Sequence, residues 1–246
     1  MVNGNPPSHL SPHTKVGYKK MSIVLKDFSF EITFEEILEK LHLSSDSEYV
    51  DELMFVYDKA INVASPKALF ARLSVSEISE NSVLVGDTTF TSTTLAKRLR
   101  EHEYVFAYIA TCGAELDSII EKGNNVLQDY ALDIIKEHIL FDCKRQFDEY
   151  LLKEYELKGI AGMTPGSGTQ QLWAIEELKP LFAEIGDVEN QIGVVLTDSC
   201  LMLPNKTISG IIFDSDKPFI SCAFCPRKKC EKRQAEFSGN FADGMH

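Results

Sequence analysis

The sequence lacks the long apolar segments of membrane proteins and the apolar N-terminal core of a secretory signal. In this chain of 246 residues, no apolar run approaches the roughly 18 consecutive apolar residues of a membrane span. Residues 1–20 are instead rich in Pro, Ser, Asn and Gly, which is typical of a disordered leader. We therefore expect a protein that makes no membrane contact and resides in the cytoplasm.

Positive charge is also scarce. The chain has 25 Lys and Arg against 37 Asp and Glu, which gives a net charge of −12. Nucleic-acid binding needs a basic face for phosphate contacts, so we expect no nucleic-acid partner. One local exception is the basic cluster of Arg227, Lys228, Lys229, Lys232 and Arg233. This cluster is either a solvated surface run or a contact for an anion or an acidic partner.

Cysteine is limited to six residues, and a chain of this length can bury a core without disulfides. In a reducing compartment such cysteines are typically free, catalytic or metal-binding. Three of them, Cys222, Cys225 and Cys230, form a C-x2-C-x4-C pattern. The C-x2-C pair lets two thiolates reach one metal from a tight turn, and the third cysteine can close onto the same site.

The cysteine pattern therefore predicts a metal site at Cys222, Cys225 and Cys230, with either an iron–sulfur cluster or zinc. The neighbouring Lys and Arg residues favour the thiolate forms. A fourth ligand stays open among Cys200, Cys112, Cys143, a histidine, a partner residue and an exogenous ligand. A thiol redox role and a tail without any ligand are the alternatives.

The remaining pattern indicates a mixture of helices and strands. We predict strands over residues 24–32, 82–92 and 104–113, and a β-hairpin over 191–216 that turns at Pro204 and Asn205. Helices are predicted after a capping box at Thr33 and Glu36, from about residue 48, over the "TTLAKRLRE" segment, from about 125 to 155, and over 172–186. On the long helix, the spacing predicts one buried face that includes Tyr130, Ile134, Ile135 and Phe141.

These elements do not alternate as βαβ units, so we predict an α+β domain with an antiparallel sheet over residues 21–220. A leader over residues 1–20 precedes this domain, and a cysteine-rich basic tail over residues 221–246 follows it. The segment 159–171 contains four glycines and one proline and is predicted to be a loop.

Several short motifs occur in a characteristic order. They are "ATCGAELD" at 110–117, "TPGS" at 164–167, Trp173, "TDS" at 197–199 and "TISG" at 207–210. In this order, from about residue 27 to 220, the chain resembles the activation, or reactivation, domain of cobalamin-dependent methionine synthase. The C-x2-C-x4-C segment resembles one that follows the domain in stand-alone members of this family.

The resemblance implies a bent, mainly antiparallel sheet flanked by helices. It also implies a domain that binds S-adenosylmethionine and docks over the cobalamin of a corrinoid protein or a cobalamin-dependent methyltransferase. The cofactor-binding residues implied are Thr164, Pro165, Gly166, Ser167, Thr197, Asp198 and Ser199.

Three positions depart from the family pattern. Gly162 stands where the family has an arginine, Ser167 stands where it has a tyrosine, and Arg145 stands where it has an acidic residue. A glycine cannot replace the charge-assisted, bidentate contacts of an arginine. These departures argue against S-adenosylmethionine binding.

We therefore expect an accessory protein of cobalamin-dependent methyl transfer, which docks on a corrinoid protein and supports its maintenance or reductive reactivation. Two alternatives remain open. One is a non-enzymatic, metal-dependent binding module on the same fold, and the other is the detached activation subunit of a split methionine synthase. No residue is predicted to be catalytic, and whether the chain catalyses a reaction is left open.

Overall fold

A computed structural model describes residues 21–217, 219–230 and 233–237. The predicted leader over residues 1–20 and Lys232 of the basic cluster lie outside these residues. The strands and α-helices of the described residues are β1 (Ser22–Leu25), α1 (Phe34–Lys40), α2 (Val50–Val63), β2 (Lys67–Ser76), β3 (Ser82–Val85), β4 (Thr88–Thr91), α3 (Thr93–Arg98), β5 (Tyr104–Thr111), α4 (Val126–Glu154), β6 (Ile160–Met163), α5 (Leu178–Ile185), α6 (Val188–Ile192), β7 (Val195–Leu196), β8 (Met202–Leu203) and β9 (Thr207–Asp214). Short 3₁₀ helices span Ala114–Ser118, Ile175–Glu177 and Ser221–Phe224.

Seven of the strands form one sheet. Six of them follow the order β4-β3-β2-β5-β9-β6, and the seventh, β1, pairs with β2. All of its pairs are antiparallel. The strands β7 and β8 form a separate two-stranded hairpin. The expected α+β class, with a mainly antiparallel sheet flanked by helices, is confirmed.

The sheet separates two apolar cores. Successive side chains of a strand point to opposite faces, so Phe106 and Tyr108 of β5 pack against α4, while Ala107 and Ile109 pack on the other face. Helices α1, α2 and α4 cover the first face, and α3, α5 and α6 cover the second together with Trp173. Within the described residues, no helix combines the length and the apolar character needed to cross a membrane.

Two predicted helix starts are confirmed by their caps. Thr33 and Glu36 form the reciprocal hydrogen bonds of a capping box before α1. At the start of α4, Asn125 Oδ1 accepts hydrogen bonds from the backbone N–H groups of Leu127 and Gln128, at 3.0 and 3.2 Å. Each cap satisfies N–H groups that the first helical turn leaves without a partner.

The predicted strand over residues 24–32 is wrong in extent, because β1 ends at Leu25. The chain then leaves the sheet, and side chains of α4 take over its backbone hydrogen bonds. Gln146 Oε1 accepts from the Ser29 N–H group at 3.1 Å, and Asp142 Oδ2 accepts from the Glu31 N–H group at 3.1 Å.

The structure also contains a central strand and a turn that the pattern did not predict. Strand β2 is buried on both faces along most of its length, so its sequence shows no alternation. The single strand predicted over residues 82–92 is a hairpin, β3–β4, which turns at Gly86 with φ +62°. Glycine suits this left-handed conformation because it has no Cβ.

Two further predictions near the C-terminal half are corrected. Part of the predicted loop 159–171 is strand β6, which pairs with β9. The predicted hairpin over residues 191–216 does not turn at Pro204 and Asn205. Instead β7 pairs with β8 around a turn at Thr197–Leu201, and β9 joins the main sheet between β5 and β6.

The buried face predicted for helix α4 is confirmed at Ile134 and Ile135 and is wrong at Tyr130 and Phe141. Ile135, Ile139 and Phe147 lie in the first core. By contrast, Tyr130 and Phe141 are 56% and 57% exposed. The actual buried face lies to one side of these two aromatic residues, which face outward.

Candidate functional site

The loop Thr164–Gly168 leaves the sheet where β6 ends. The Ser167 N–H group donates to Thr164 O at 3.1 Å, and the Gly166 N–H group donates to Trp173 O at 2.9 Å. Gly166 and Gly168 have φ angles of +80° and +84°, which non-glycine residues rarely adopt. The loop is therefore a defined turn anchored to the buried Trp173.

Glycines in a loop can let the backbone approach a ligand closely, but the nearest neighbours of these two are protein atoms. A Cβ on Gly166 would lie 3.0 Å from Ile175 Cγ1. A Cβ on Gly168 would lie 2.5 Å from Leu172 Cδ1 and 3.2 Å from Ser221 O. The two glycines thus allow the loop to pack closely on its own chain.

A polar cluster lies beside the loop, on the side of α4. Burial and Asp148 raise the pKa of the Tyr108 phenol, and the nearby Thr164 side chain opposes this rise. Lys144 Nζ lies 5.3 Å from the centroid of the Tyr108 ring and forms an ion pair with Asp148. Burial also raises the pKa of Asp148, although Lys144 opposes this effect. Thr164 therefore joins a group that contains one cation and one buried carboxyl.

Sequence reasoning missed this cluster. Lys144 and Asp148 are spaced i, i+4 on a helix, a pattern that also fits an ordinary surface ion pair. Only the pairing of β5, β9 and β6 shows that this side of α4 faces the loop. Arg145, at the position where the family has an acidic residue, is held by Asp142 and Glu149 at 3.2 and 3.0 Å.

The other predicted cofactor-binding residues form the turn between β7 and β8. Thr197 Oγ1 accepts a hydrogen bond from the Leu201 N–H group at 3.0 Å and lies 3.1 Å from Ser199 Oγ. Asp198 lies between these two residues in the turn. In the part of the chain that the structure describes, no hydrogen bond joins this turn to the Thr164–Gly168 loop. The predicted cofactor-binding residues therefore occupy two separate turns.

The cysteine segment begins on the loop. The hydroxyl groups of Ser167 and Ser221 lie 2.7 Å apart, which places the 3₁₀ helix Ser221–Phe224 against the loop. Phe224 is buried and stacks on Phe219, with 5.7 Å between the ring centroids. At least the first residues of the predicted tail are thus packed on the domain.

The three cysteines of the predicted metal site remain separate. Cys222 and Cys225 are partly exposed and Cys230 is exposed, and all three are free thiols. Among the described residues, no group of three or more His, Cys, Asp or Glu side chains is placed to hold a metal ion. The metal site at Cys222, Cys225 and Cys230 stays a prediction.

Arg233 determines how this turn is held, a role that the sequence did not indicate. Its guanidinium donates to Cys222 O at 3.1 Å, to Cys225 O at 3.2 Å, and also to the carbonyl oxygens of Arg227 and Ala235. Arginine presents five N–H donors in a rigid plane, which suits such a set of acceptors. Arg233 therefore holds the backbone of the turn that carries two of the three cysteines.

The fold has a counterpart of known structure. It is similar to a crystal structure of the MetH reactivation domain bound to AdoHcy, with a TM-score of 0.51 and 13% sequence identity. The similarity covers 79% of this chain and 78% of that chain. No protein-family model and no curated protein sequence matches the chain. At this identity the likeness shows a shared fold.

Proposed function

We propose that this protein is an accessory protein of cobalamin-dependent methyl transfer, which docks on a corrinoid protein and supports its maintenance or reductive reactivation. The observation that carries the proposal is the fold shared with the MetH reactivation domain, a domain that binds AdoHcy in its crystal structure. The motifs at residues 164–167, 197–199 and 207–210 support the same conclusion.

Two buried polar atoms near the loop support a ligand site there. Asp148 Oδ1 and Thr169 Oγ1 have no hydrogen-bond partner among the described residues. A buried polar atom without a partner costs about 1–3 kcal/mol. A ligand with hydroxyl or amino donors, such as AdoHcy or S-adenosylmethionine, would offset this cost, and Thr164, Lys144 and Asp148 are the residues that would hold it.

The exposed flank of α4 supports the docking surface. Phe141, Lys144 and Asp148 are spaced i, i+3 and i+7, so they form one stripe along the helix. Phe141 is 57% exposed at the end of this stripe. An exposed aromatic ring beside a polar cluster is typical of a contact with a partner that has both apolar and hydrogen-bonding groups.

The docking proposal is tested with Phe141→Asp. We expect wild-type protein to bind a corrinoid protein or free cobalamin in an absorbance titration, and Phe141→Asp to weaken that binding by about tenfold or more. Phe55→Asp is the matched control, because Phe55 is 54% exposed but lies on α2. Absence of binding with cobalt in the +1, +2 and +3 states would refute the function, whereas equal losses in both variants would refute only the assigned surface.

The non-enzymatic alternative is favoured by Gly162 and Ser167, which replace the arginine and tyrosine of the family pattern. Calorimetry with S-adenosylmethionine separates the two functions. Micromolar binding that Thr169→Val weakens would support a working ligand site at the loop. No binding, together with retained docking on a corrinoid protein, would support a binding module.

We further propose that Cys222, Cys225 and Cys230 bind an iron–sulfur cluster or zinc. Anaerobic purification followed by metal and sulfide analysis tests this. Iron with acid-labile sulfide would support a redox role in reactivation, and one zinc per chain would indicate a structural site. Protein without metal would leave only thiol chemistry for these cysteines.

A further inference from the structure

A cleft of about 260 Å³ lies beside the first turns of α4, away from the residues assigned above. Its walls come from the end of the 3₁₀ helix Ala114–Ser118, the segment after it, α4 and the β8–β9 connection. Pockets for drug-sized ligands hold roughly 300–1,000 Å³. This cleft is therefore suited to a ligand of about the size of one amino acid.

Groups of both charges meet at one end of the cleft. The Lys136 side chain is 8% exposed and forms an ion pair with Asp117. Within the described part of the chain, Asp117 is the only hydrogen-bond acceptor of Lys136 Nζ, although an ammonium group has three donors. Asp133 lies one helical turn before Lys136 and also lines the cleft. A buried ammonium and two carboxylates are thus available at one place.

The position of Asp133 is fixed by the β8–β9 connection. Lys206 Nζ lies 2.7 Å from Asp133 Oδ2, and Asn205 Nδ2 donates to Asp133 Oδ1 at 3.0 Å. The aliphatic part of the remaining wall comes from Ile120, Leu132 and Leu203, and Lys122 and Asp129 also line the cleft. Leu203 is 48% exposed and lies at the rim. The cleft therefore combines charged groups of both signs with an aliphatic part of its wall.

We propose that this cleft binds a free α-amino acid with an aliphatic side chain. The α-carboxylate contacts the ammonium group of Lys136, and the α-ammonium contacts Asp117 and Asp133. The aliphatic side chain packs against Leu132 and Leu203. Charge-assisted hydrogen bonds to both ionised groups of the ligand give the selectivity for a zwitterion.

Calorimetry or ligand-observed NMR with L-leucine tests the proposal on the full chain. L-Leucinamide lacks the carboxylate and 4-methylpentanoate lacks the ammonium, so each should bind at least about tenfold more weakly than leucine. If no probe binds at millimolar concentration, the site is refuted. If leucinamide binds as tightly as leucine, the zwitterion assignment is refuted, because the carboxylate then makes no contact.

Substitutions at the rim of the cleft test whether the ligand binds there. Leu203→Arg should abolish leucine binding because its side chain enters the cleft. Leu201→Arg, at a nearby residue that is 61% exposed and does not line the cleft, should leave binding unchanged. Lys136→Met should weaken leucine binding more than leucinamide binding, because only leucine has the carboxylate that contacts Lys136. If the buried Lys136→Met variant does not fold, Leu203→Arg at the exposed rim still tests the proposal. Unchanged leucine binding in Leu203→Arg would refute the placement.

Discussion

At the scale of single residues, Arg233 has the clearest structural role in the cysteine segment. Its guanidinium contacts carbonyl oxygens on both sides of the Cys222–Arg227 turn. A net hydrogen bond is worth about 0.5–1.5 kcal/mol, and a lysine ammonium cannot reproduce the planar arrangement of several donors. The sequence showed Arg233 only as one member of a basic cluster. For holding this turn, the planar arrangement of its donors matters more than its charge.

Arg233→Lys should therefore release the turn without changing the net charge. We expect Cys222 and Cys225 to react about tenfold faster with a thiol reagent in this variant, which corresponds to ~1.4 kcal/mol of lost local order. Mass spectrometry of labelled peptides measures each rate. Arg227→Lys is the matched control, because the turn uses the carbonyl group of Arg227, which the substitution keeps. Equal rates in the two variants would contradict the role of Arg233.

At the scale of helices and strands, the features that the sequence predicted are those fixed by neighbouring residues. The capping box before α1 involves Thr33 and Glu36, and the cap of α4 involves Asn125 and the two residues that follow Val126. Such signals lie within a few positions of each other, so one short segment contains the whole interaction.

Strand pairing could not be predicted in the same way. Strand β6 is only four residues long, contains Gly162, and forms because Met163 lies opposite Ile211 of β9. Nothing within residues 159–171 specifies a partner almost fifty residues later. The β7–β8 hairpin was missed for a related reason, because its two-residue strands are too short to show a period.

Contacts between elements also stabilise the β3–β4 hairpin, through Glu184 of α5. Thr88 Oγ1 donates to Glu184 Oε2 at 2.6 Å, and the Asp87 N–H group lies 3.4 Å from Glu184 Oε1. Glu184 is buried beside Gly86 at the hairpin turn. A buried carboxylate in this position replaces the hydrogen bonds that water would otherwise make to the turn.

Glu184→Leu should lower the free energy of unfolding by about 1–3 kcal/mol, because it leaves the donors of the turn unpaired. Glu184→Gln keeps an oxygen acceptor and should cost less. Urea unfolding at neutral pH measures both effects, with the exposed Glu189→Leu on α6 as the control. A loss in Glu189→Leu as large as that in Glu184→Leu would argue against the hairpin contact.

At the scale of the whole molecule, the sheet order brings together motifs that are distant in the sequence. Strand β6 lies at the edge of the sheet and is antiparallel to β9, so the loop that follows β6 lies beside Gly210 near the start of β9. The segment that leaves β9 returns to this loop. Ser167 and Ser221 meet there although 54 positions separate them. The sequence predicted both the loop and the cysteine segment, but their contact depends on the complete topology.

The stability of the whole chain should depend on pH through Asp148. Burial raises the pKa of this carboxyl above its ordinary value of 3.8, with Lys144 opposing the change. The folded state therefore favours the protonated form. The resulting stabilisation is fully present below pH 3.8 and is lost as the pH rises through the raised pKa of the folded state.

Asp148→Asn cannot titrate, so its free energy of unfolding, taken relative to wild type, should increase as the pH rises through this window and then become constant. Lys144→Met removes the cation that lowers the pKa of Asp148, and it should extend the window to higher pH. Urea unfolding of the three proteins, at a series of pH values from below 3.8 to neutrality, measures these differences. A difference between Asp148→Asn and wild type that stays constant or decreases with rising pH would show that burial does not control this carboxyl. The two variants also separate the contributions of burial and of the ion pair, because only Lys144→Met leaves the carboxyl in place.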